Sequence, residues 1–334
     1  MSQSVPYEPI HTLSEKSRRL QRNFFLWSDR VVGGLHLDEN HQLSAATLRR
    51  WILLVFNEHA SDFENADVFE IRPVNICFSQ AMLFNYAVCP AGDTIDLTST
   101  EALAPGDIGI CRPGTKGPVV DELPLLTEGK SFAFLKKSLS DVGGLEWGEM
   151  SVSFQEEVKV RDSERCIFTG TSSNQASLVI RWIYPPFLAS FNMEEDMRQY
   201  LSVSNALTMR EDLAKGFEEN EFGVDVDDNY RIVSFVPSAS SYLLPRTHLD
   251  LSHLSQNARP SDEYLRGHFI RCLVVNFLGG DISEIYEDVD PDEFWEERGV
   301  FDEDYDFDEQ EWHTELGREA KALLFRRWPG RYQD

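Results

Sequence analysis

The stretch that most constrains the fold is residues 165–235, where strand-like, helical and turn-like patterns follow one another closely. The segment RCIFTG predicts a strand that ends in a turn. SLVIRWIYPPF predicts a second strand, which ends at Pro185 and Pro186. Residues 205–219 (NALTMREDLAKGFEE) predict a loop and then an amphipathic helix. The segment EFGVDVDDNYRIVSF predicts a β-hairpin with its turn at residues 227–229.

These four segments, in this order, resemble the HNH (His-Me finger) nuclease domains that are common in fungal proteins. The resemblance covers roughly residues 160–300, and the segment 262–280 is similar to the helix that follows the domain in those proteins. It implies a ββα-type unit and metal-dependent nuclease activity. In that family one His on the second strand is the general base, a second His on the helix helps to hold a divalent metal ion, and an intervening Asn orients the loop.

The sequence departs from the family pattern at both histidines. Counted back from Pro185, the position of the general base holds Trp182, and the metal-ligand position on the helix holds Ala214. Indole has no nitrogen that accepts a proton in this role, and a methyl group binds no metal. Of the motif residues only Asn205 and Asp212 match. The family mechanism therefore cannot run on this motif.

The replacements predict a different occupant for the same cleft. Arg181 would place a fixed positive charge where the metal site was, and Trp182 and Tyr184 would add aromatic faces. The favoured hypothesis is a protein that has lost nuclease chemistry and whose cleft binds or transforms a small organic molecule, with an anionic or a flat ligand both compatible with these residues. Arg181 and Trp182 are then the ligand-binding candidates. The catalytic candidates are Asp212, as the nearest acid or base, Tyr184 and Asn205. The alternative is that these strand residues simply alternate between core and solvent.

An active metal-dependent endonuclease is a second hypothesis, and it needs metal ligands from outside the motif. Asp212 with Asp225 or His248 would be one such set. Asp225, Asp227 and Asp228 offer the clustered oxygens that hard cations prefer, but a hairpin turn uses the same residue types for backbone reasons. We therefore predict no metal site and no cofactor, with a divalent ion such as Mg²⁺ only if the nuclease hypothesis holds.

The charge of the chain disfavours nucleic acid as a partner. Asp and Glu number 57 against 31 Lys and Arg, a net charge of -26, whereas proteins that bind phosphates usually present a basic face. Residues 281–311 contain 16 acidic residues and one basic residue, Arg298, yet the remainder is also acidic. The acidic-aromatic segment 281–312 supports a third hypothesis, a non-enzymatic protein that binds a basic protein partner. Its aromatic residues predict that part of it docks on the fold.

The sequence also predicts where the protein resides. No apolar run approaches the roughly 18 residues of a membrane helix, and the first residues lack the apolar stretch of a secretory signal. The five cysteines never occur as CxxC, which suits a reducing compartment. We expect an intracellular protein, cytoplasmic or nuclear, without a membrane partner.

The predicted fold class is α+β, with a mixed N-terminal part packed on the ββα-type unit and followed by C-terminal helices. The predicted divisions are a mobile lead-in at 1–22, a mixed domain at 23–160, the HNH-like domain at 161–280, the acidic-aromatic segment at 281–312 and a C-terminal helix at 313–334. Within them, residues 43–56 predict a helix with Ser44 as its N-cap, whereas residues 147–160 alternate like a strand or a hairpin arm.

Overall fold

The computed structural model describes residues 7–39, 41–59, 69–79, 82–114, 129–141, 149–191, 197–237, 244, 246–255, 258–301 and 307–329. They form an α+β fold, as predicted. The chain divides into two compact units. One contains Met1–Arg49, Asp62–Leu125 and Gly279–Asp334, and the other contains Arg50–Ser61 and Leu126–Leu278. Within the described residues, no helix has the length and apolar character needed to span a bilayer.

The regular elements are numbered in chain order. The strands are β1 (Phe24–Trp27), β2 (Val31–Leu35), β3 (Glu70–Phe78), β4 (Tyr86–Pro90), β5 (Gly106–Cys111), β6 (Leu178–Trp182), β7 (Ala206–Arg210), β8 (Phe222–Asp225) and β9 (Arg231–Ser234). The helices are α1 (Glu15–Arg19), α2 (Ala45–His59), α3 (Phe132–Asp141), α4 (Val152–Arg161), α5 (Glu211–Glu218), α6 (Asp262–Cys272), α7 (Pro291–Glu296) and α8 (Glu315–Arg327).

The first unit contains a five-stranded sheet in the order β2-β1-β5-β3-β4. Strands β1 and β5 run parallel, and the other neighbouring pairs are antiparallel. Phe25 and Trp27 of β1 are completely buried and pack with Val74 and Ile76 of β3. The sheet is therefore stabilised mainly by apolar burial on this face.

Residues 7–22, predicted as part of a mobile lead-in, contain a helix and several buried side chains. Helix α1 begins after Ser14, whose hydroxyl accepts a hydrogen bond from the backbone N–H of Ser17. Arg22 is only 3% exposed, and its Nη1 donates to the carbonyl oxygen of Gly279 at 2.6 Å. Polar composition suggested mobility, but these side chains are buried because backbone groups distant in sequence accept their hydrogen bonds.

The acidic-aromatic segment is packed through its aromatic side chains. Trp295 of α7 is fully buried and Trp312 is 2% exposed, and both lie in one apolar cluster with Leu323 and Leu324 of α8. The prediction that part of this segment docks is confirmed for the residues described. Residues 302–306 lie outside the described part of the chain.

The second unit contains a β-β-α order, but its strands are not the two predicted, because RCIFTG is not a strand and residues 206–210, predicted as a loop, form β7. Strand β6 pairs antiparallel with β7, and α5 begins at the residue after β7. RCIFTG is a turn rather than a regular strand. The N–H of Cys166 donates to the carbonyl of Thr171 at 2.8 Å, and Gly170, at φ +73°, bends the chain between them. The β8–β9 hairpin follows, with Asn229 in the left-handed region (φ 51°) at its turn, as predicted.

The prediction of a strand at residues 147–160 is wrong over the part that the structure describes. The chain there forms helix α4, with the Ser151 hydroxyl accepting from the N–H of Phe154 as its N-cap. The alternation of apolar residues is misleading, because Val152 and Val160 are 77% and 73% exposed and only Val158 is fully buried. The geometry of the helix, and not the two-residue period of a strand, decides which of these valines packs in the core.

The predicted domain boundaries also differ from the observed ones. Helices α3 and α4, assigned from sequence to the N-terminal domain, belong to the second unit, and residues 281–334 belong to the first. The reason is packing, since Val158 of α4 lies in one apolar cluster with Ile180 of β6 and Ala206 of β7. Helix α2 confirms its prediction, with Ser44 accepting from the N–H of Thr47 at 3.1 Å.

Replacing Trp295 by alanine tests the packing of the acidic-aromatic segment. Because the indole is fully buried, we expect Trp295→Ala to lower the free energy of unfolding by about 3 kcal/mol or more. Ile285→Ala in the same segment, where the side chain is 60% exposed, should change it by less than about 0.5 kcal/mol. Denaturant titration followed by circular dichroism measures both. Equal, small losses would mean that the segment is detached.

Candidate functional site

A cavity of about 600 Å³ lies in the second unit, beside strand β6. Three helices and one strand provide most of its surface. Its described lining includes Phe132 and Lys136 of α3, Glu149 before α4, and Gln155 and Lys159 of α4. It also includes Arg181 and Trp182 of β6, Pro185 and Phe187 after β6, and Phe217 and Glu218 of α5. The size is in the range of small-molecule sites in proteins.

Arg181 lines the cavity, and its guanidinium forms an ion pair with one carboxylate. Its Nη1 donates to the carbonyl oxygen of Ile180 at 3.0 Å, and its Nε lies 2.9 Å from Oε1 of Glu218. The Nε is buried and makes no hydrogen bond of acceptable angle, so the contact with Glu218 is an ion pair with poor hydrogen-bond geometry. The two side chains are 34% and 32% exposed. Five N–H groups on one guanidinium leave donors for a further anion.

Aromatic side chains supply the apolar surface of the cavity. The Trp182 indole packs against Phe154 of α4, with ring centroids 5.0 Å apart, and is itself half-buried. Phe132, Phe187 and Phe217 are buried and lie on the cavity surface. A flat apolar molecule would find rings on several sides.

Asn205, a catalytic candidate from sequence, has a structural role. The side chain is fully buried, its Oδ1 accepts from the N–H of Tyr184 at 2.9 Å, and its Nδ2 donates to the carbonyls of Tyr184 and Tyr200 at 2.7 and 2.9 Å. Its donors and one lone pair are used in fixing the chain after β6. This is the loop-orienting role that the family resemblance implies, and it leaves no group to act on a substrate.

Tyr184, the second catalytic candidate, lies behind the cavity surface. Its ring stacks on Tyr200 with centroids 5.7 Å apart and meets the edge of Phe132 at 5.7 Å. Phe132 is the member of this group that lines the cavity. Tyr184 therefore supports the aromatic surface rather than forming it.

Asp212 is the candidate that the structure places furthest from the expected role. Its carboxylate is exposed and accepts a hydrogen bond from Nε of Arg210 at 3.0 Å. It lies in the first turn of α5, whereas Glu218 ends that helix, about 9 Å along the axis at 1.5 Å per residue. Among the described lining residues the carboxylates are those of Glu149 and Glu218, and Asp212 is not one of these residues.

The carboxylates that the nuclease hypothesis would use as metal ligands each form an ion pair with an arginine. Asp225 is 1% exposed, its two oxygens accept from Nη1 and Nη2 of Arg50, and Trp51 Nε1 donates to it at 2.9 Å. Asp227 pairs with Arg266 at 2.8 Å. No three His, Cys, Asp or Glu side chains in the described part of the chain are placed to share a metal ion.

His268 stabilises the cavity from behind Phe217. The two rings stack with centroids 3.8 Å apart, and Nε2 donates to the Phe217 carbonyl at 3.1 Å. Nδ1 lies 3.4 Å from the thiol of Cys272. Burial lowers the pKa of His268 from 6.5 to about 4, partly opposed by the bond to Phe217. The imidazole is therefore neutral near pH 7 and belongs to the core.

Sequence reasoning found two of the lining residues, Arg181 and Trp182, and missed the remaining charged ones. Glu218 was detectable, because it is four residues after Ala214 and so lies on the same face of α5. Lys159 was not detectable, because the apolar residues of α4 alternate as those of a strand do. Lys136 and Phe132 follow a segment without a clear pattern, so no local signal placed them beside β6.

Comparison with protein-family models, with curated proteins and with solved structures finds no match for this chain. The resemblance to HNH domains therefore stays a prediction.

Replacing Asn205 by alanine tests its structural role. Asn205→Ala leaves the N–H of Tyr184 and two carbonyls buried without these partners, so we expect a loss of about 3 kcal/mol in the free energy of unfolding. Asn174→Ala, at an exposed position of the same unit, is the matched control and should lose little. A loss no larger than that of the control would refute the role.

The shifted pKa of His268 predicts an acid-sensitive stability. Because its folded-state pKa of about 4 lies below the unfolded value of 6.5, only the unfolded chain gains a proton as pH falls from 6.5 towards 4. From pH 7.0 to 5.5 we expect wild type to lose about 1 kcal/mol more stability than His268→Gln. Urea titrations at both pH values measure this. His253→Gln, at an exposed position, should behave like wild type, and identical losses in all three proteins would contradict the assignment.

Proposed function

We propose that the second unit binds a small aromatic organic molecule that carries an anionic group, in the cavity beside β6. The observation that supports this most directly is that the guanidinium of Arg181 lines one cavity together with the rings of Trp182, Phe132 and Phe187. A guanidinium binds carboxylate or phosphate through paired N–H groups, and aromatic rings hold a flat apolar body.

The local charge of the cavity supports an anionic ligand. Its described lining residues include three cations, Lys136, Lys159 and Arg181, against two carboxylates, Glu149 and Glu218. In the whole chain acids outnumber bases by 57 to 31. The described lining is therefore far less acidic than the chain as a whole, and an anion finds counter-charges there.

A second cavity, in the first unit, lacks these features. It measures about 690 Å³, and its described lining residues include Asp107 but neither lysine nor arginine. The Asp107 carboxylate already accepts hydrogen bonds from the Tyr7 hydroxyl at 2.5 Å and from Trp27 Nε1 at 2.7 Å. Burial raises the pKa of Asp107, with these two hydrogen bonds opposing the effect. This cavity offers an anion no counter-charge.

The other two hypotheses have less support from the geometry. Asp212 and Asp225, the carboxylates that a nuclease would recruit, are paired with Arg210 and with Arg50. The acidic-aromatic segment turns its tryptophans into the apolar cluster of its own unit. The cavity of the second unit is thus the feature on which a function can best be built.

Isothermal titration calorimetry with a charged ligand and its neutral analogue tests the proposal. We expect 3-(2-naphthyl)propionate to bind about tenfold more tightly than 3-(2-naphthyl)propanamide, because a charge-assisted hydrogen bond contributes about 1.5 kcal/mol or more. In Arg181→Met, which keeps the length of the apolar stem, the two should bind with equal affinity.

Arg165→Met is the matched control for that substitution. Arg165 lies in the same unit, is exposed and is not among the described lining residues, so its loss removes the same charge from elsewhere. The tenfold preference for the carboxylate should persist in this variant. The proposal fails if the propionate does not bind, or if both substitutions reduce the preference equally.

A further inference from the structure

We infer that the ligand of this cavity is a zwitterion, with a cationic group that contacts Glu218 as well as an anionic group that contacts Arg181. The simplest member of this class is an aromatic α-amino acid. The inference rests on the proposed function, since it concerns the same cavity. It adds that the carboxylate of Glu218 selects the ligand rather than only neutralising Arg181.

The first support is the geometry of the Arg181–Glu218 pair. Nε and Oε1 lie 2.9 Å apart, yet the Nε–H makes no hydrogen bond of acceptable angle, and both side chains line the cavity. About a third of each side chain is exposed, and ion pairs at such sites contribute little stability. A ligand can therefore separate the two side chains at low cost, provided that it supplies each with a new partner.

The second support is the effect of ligand charge on Glu218. A simple carboxylate bound to Arg181 lies beside the carboxylate of Glu218, and two like charges at this distance repel each other. A zwitterion places its carboxylate on the guanidinium and its ammonium group on Glu218, so both charges of the protein stay paired. Arg181 and Glu218, as neighbouring groups of opposite charge, thus favour a ligand that carries one positive and one negative charge close together.

The third support is the charge of the other lining residues. Lys159 already pairs with Glu156 at 2.6 Å, on the exposed surface of α4. Lys136 and Glu149 are both exposed and of opposite sign. Once Lys159 is matched in this way, the described lining residues include two other cations and two carboxylates, and this balance suits a ligand that carries both signs of charge.

Calorimetry with four ligands that share one ring system tests the inference. The ligands are 3-(2-naphthyl)-L-alanine, 3-(2-naphthyl)propionate, 3-(2-naphthyl)propanamide and 2-(2-naphthyl)ethylamine. With wild type we expect naphthylalanine to bind about tenfold more tightly than the propionate, and the amine to bind more weakly than either.

The substitution Glu218→Gln should reverse the order of naphthylalanine and the propionate, so that the propionate binds more tightly. Removing the carboxylate leaves the ammonium group of naphthylalanine beside Arg181 without a counter-charge, so its affinity should fall about tenfold. The propionate should bind several-fold more tightly, because the repelling charge is gone. Glu211→Gln, an exposed position on the same helix, removes the same charge outside the cavity and should leave both affinities unchanged. Circular dichroism checks that each variant is folded.

The outcomes separate this inference from the proposed function. If the propionate binds more tightly than the propanamide, but naphthylalanine binds no more tightly than the propionate and Glu218→Gln changes neither, the zwitterion inference is wrong and the proposed function stands. If neither the propionate nor naphthylalanine binds, both fail. Reversal of the order in Glu218→Gln, without reversal in Glu211→Gln, supports both.

Discussion

The carboxamide of Asn205 fixes the chain on which the cavity depends. One buried side chain bonds the backbone N–H and carbonyl of Tyr184 and the carbonyl of Tyr200. The N–H of Ile183 also donates to the carbonyl of Asn205 at 2.8 Å. The end of β6 and the start of the following loop are thereby held against the start of β7. Arg181, two residues before Ile183, and Phe187, three residues after Tyr184, owe their positions to these bonds.

A second set of buried polar contacts positions helix α4, which also lines the cavity. Asp162, at the end of α4, is 2% exposed and accepts from the N–H of Thr208 at 2.8 Å. Its neighbour Arg161 donates to the carbonyls of Val203 and Ala206, both at 2.7 Å. A buried charge pair is costly unless its hydrogen bonds are satisfied, and here they are satisfied by β7 and the residues just before it. Lys159, three residues before Asp162 on the same helix, is one of the lining residues that this anchor helps to place.

Local chemistry decided which parts of this structure could be predicted. Pro185 cannot continue a strand, Asn229 tolerates the left-handed conformation of a hairpin turn, and Ser44 caps a helix, so the elements around them followed from sequence. Helix α4 did not, because its exposed valines gave it the period of a strand. The burial of Arg22 did not either, because its partner Gly279 is 257 residues away. Arg181 and Trp182 were identified through their neighbours in a motif, whereas Lys136 reaches the cavity only through tertiary packing.

The positions where the family resemblance places histidines now lie in apolar surroundings. Ala214 is 2% exposed in the main core of the second unit, and Trp182 packs on Phe154. The charged pair of the cavity lies immediately beside them, since Arg181 precedes Trp182 and Glu218 lies one turn after Ala214. The strand and the helix thus present a cation and a carboxylate to the cavity. Because such a pair requires no metal ion, and a guanidinium keeps its charge across the physiological pH range, this arrangement suits recognition of a charged molecule better than proton transfer to or from it.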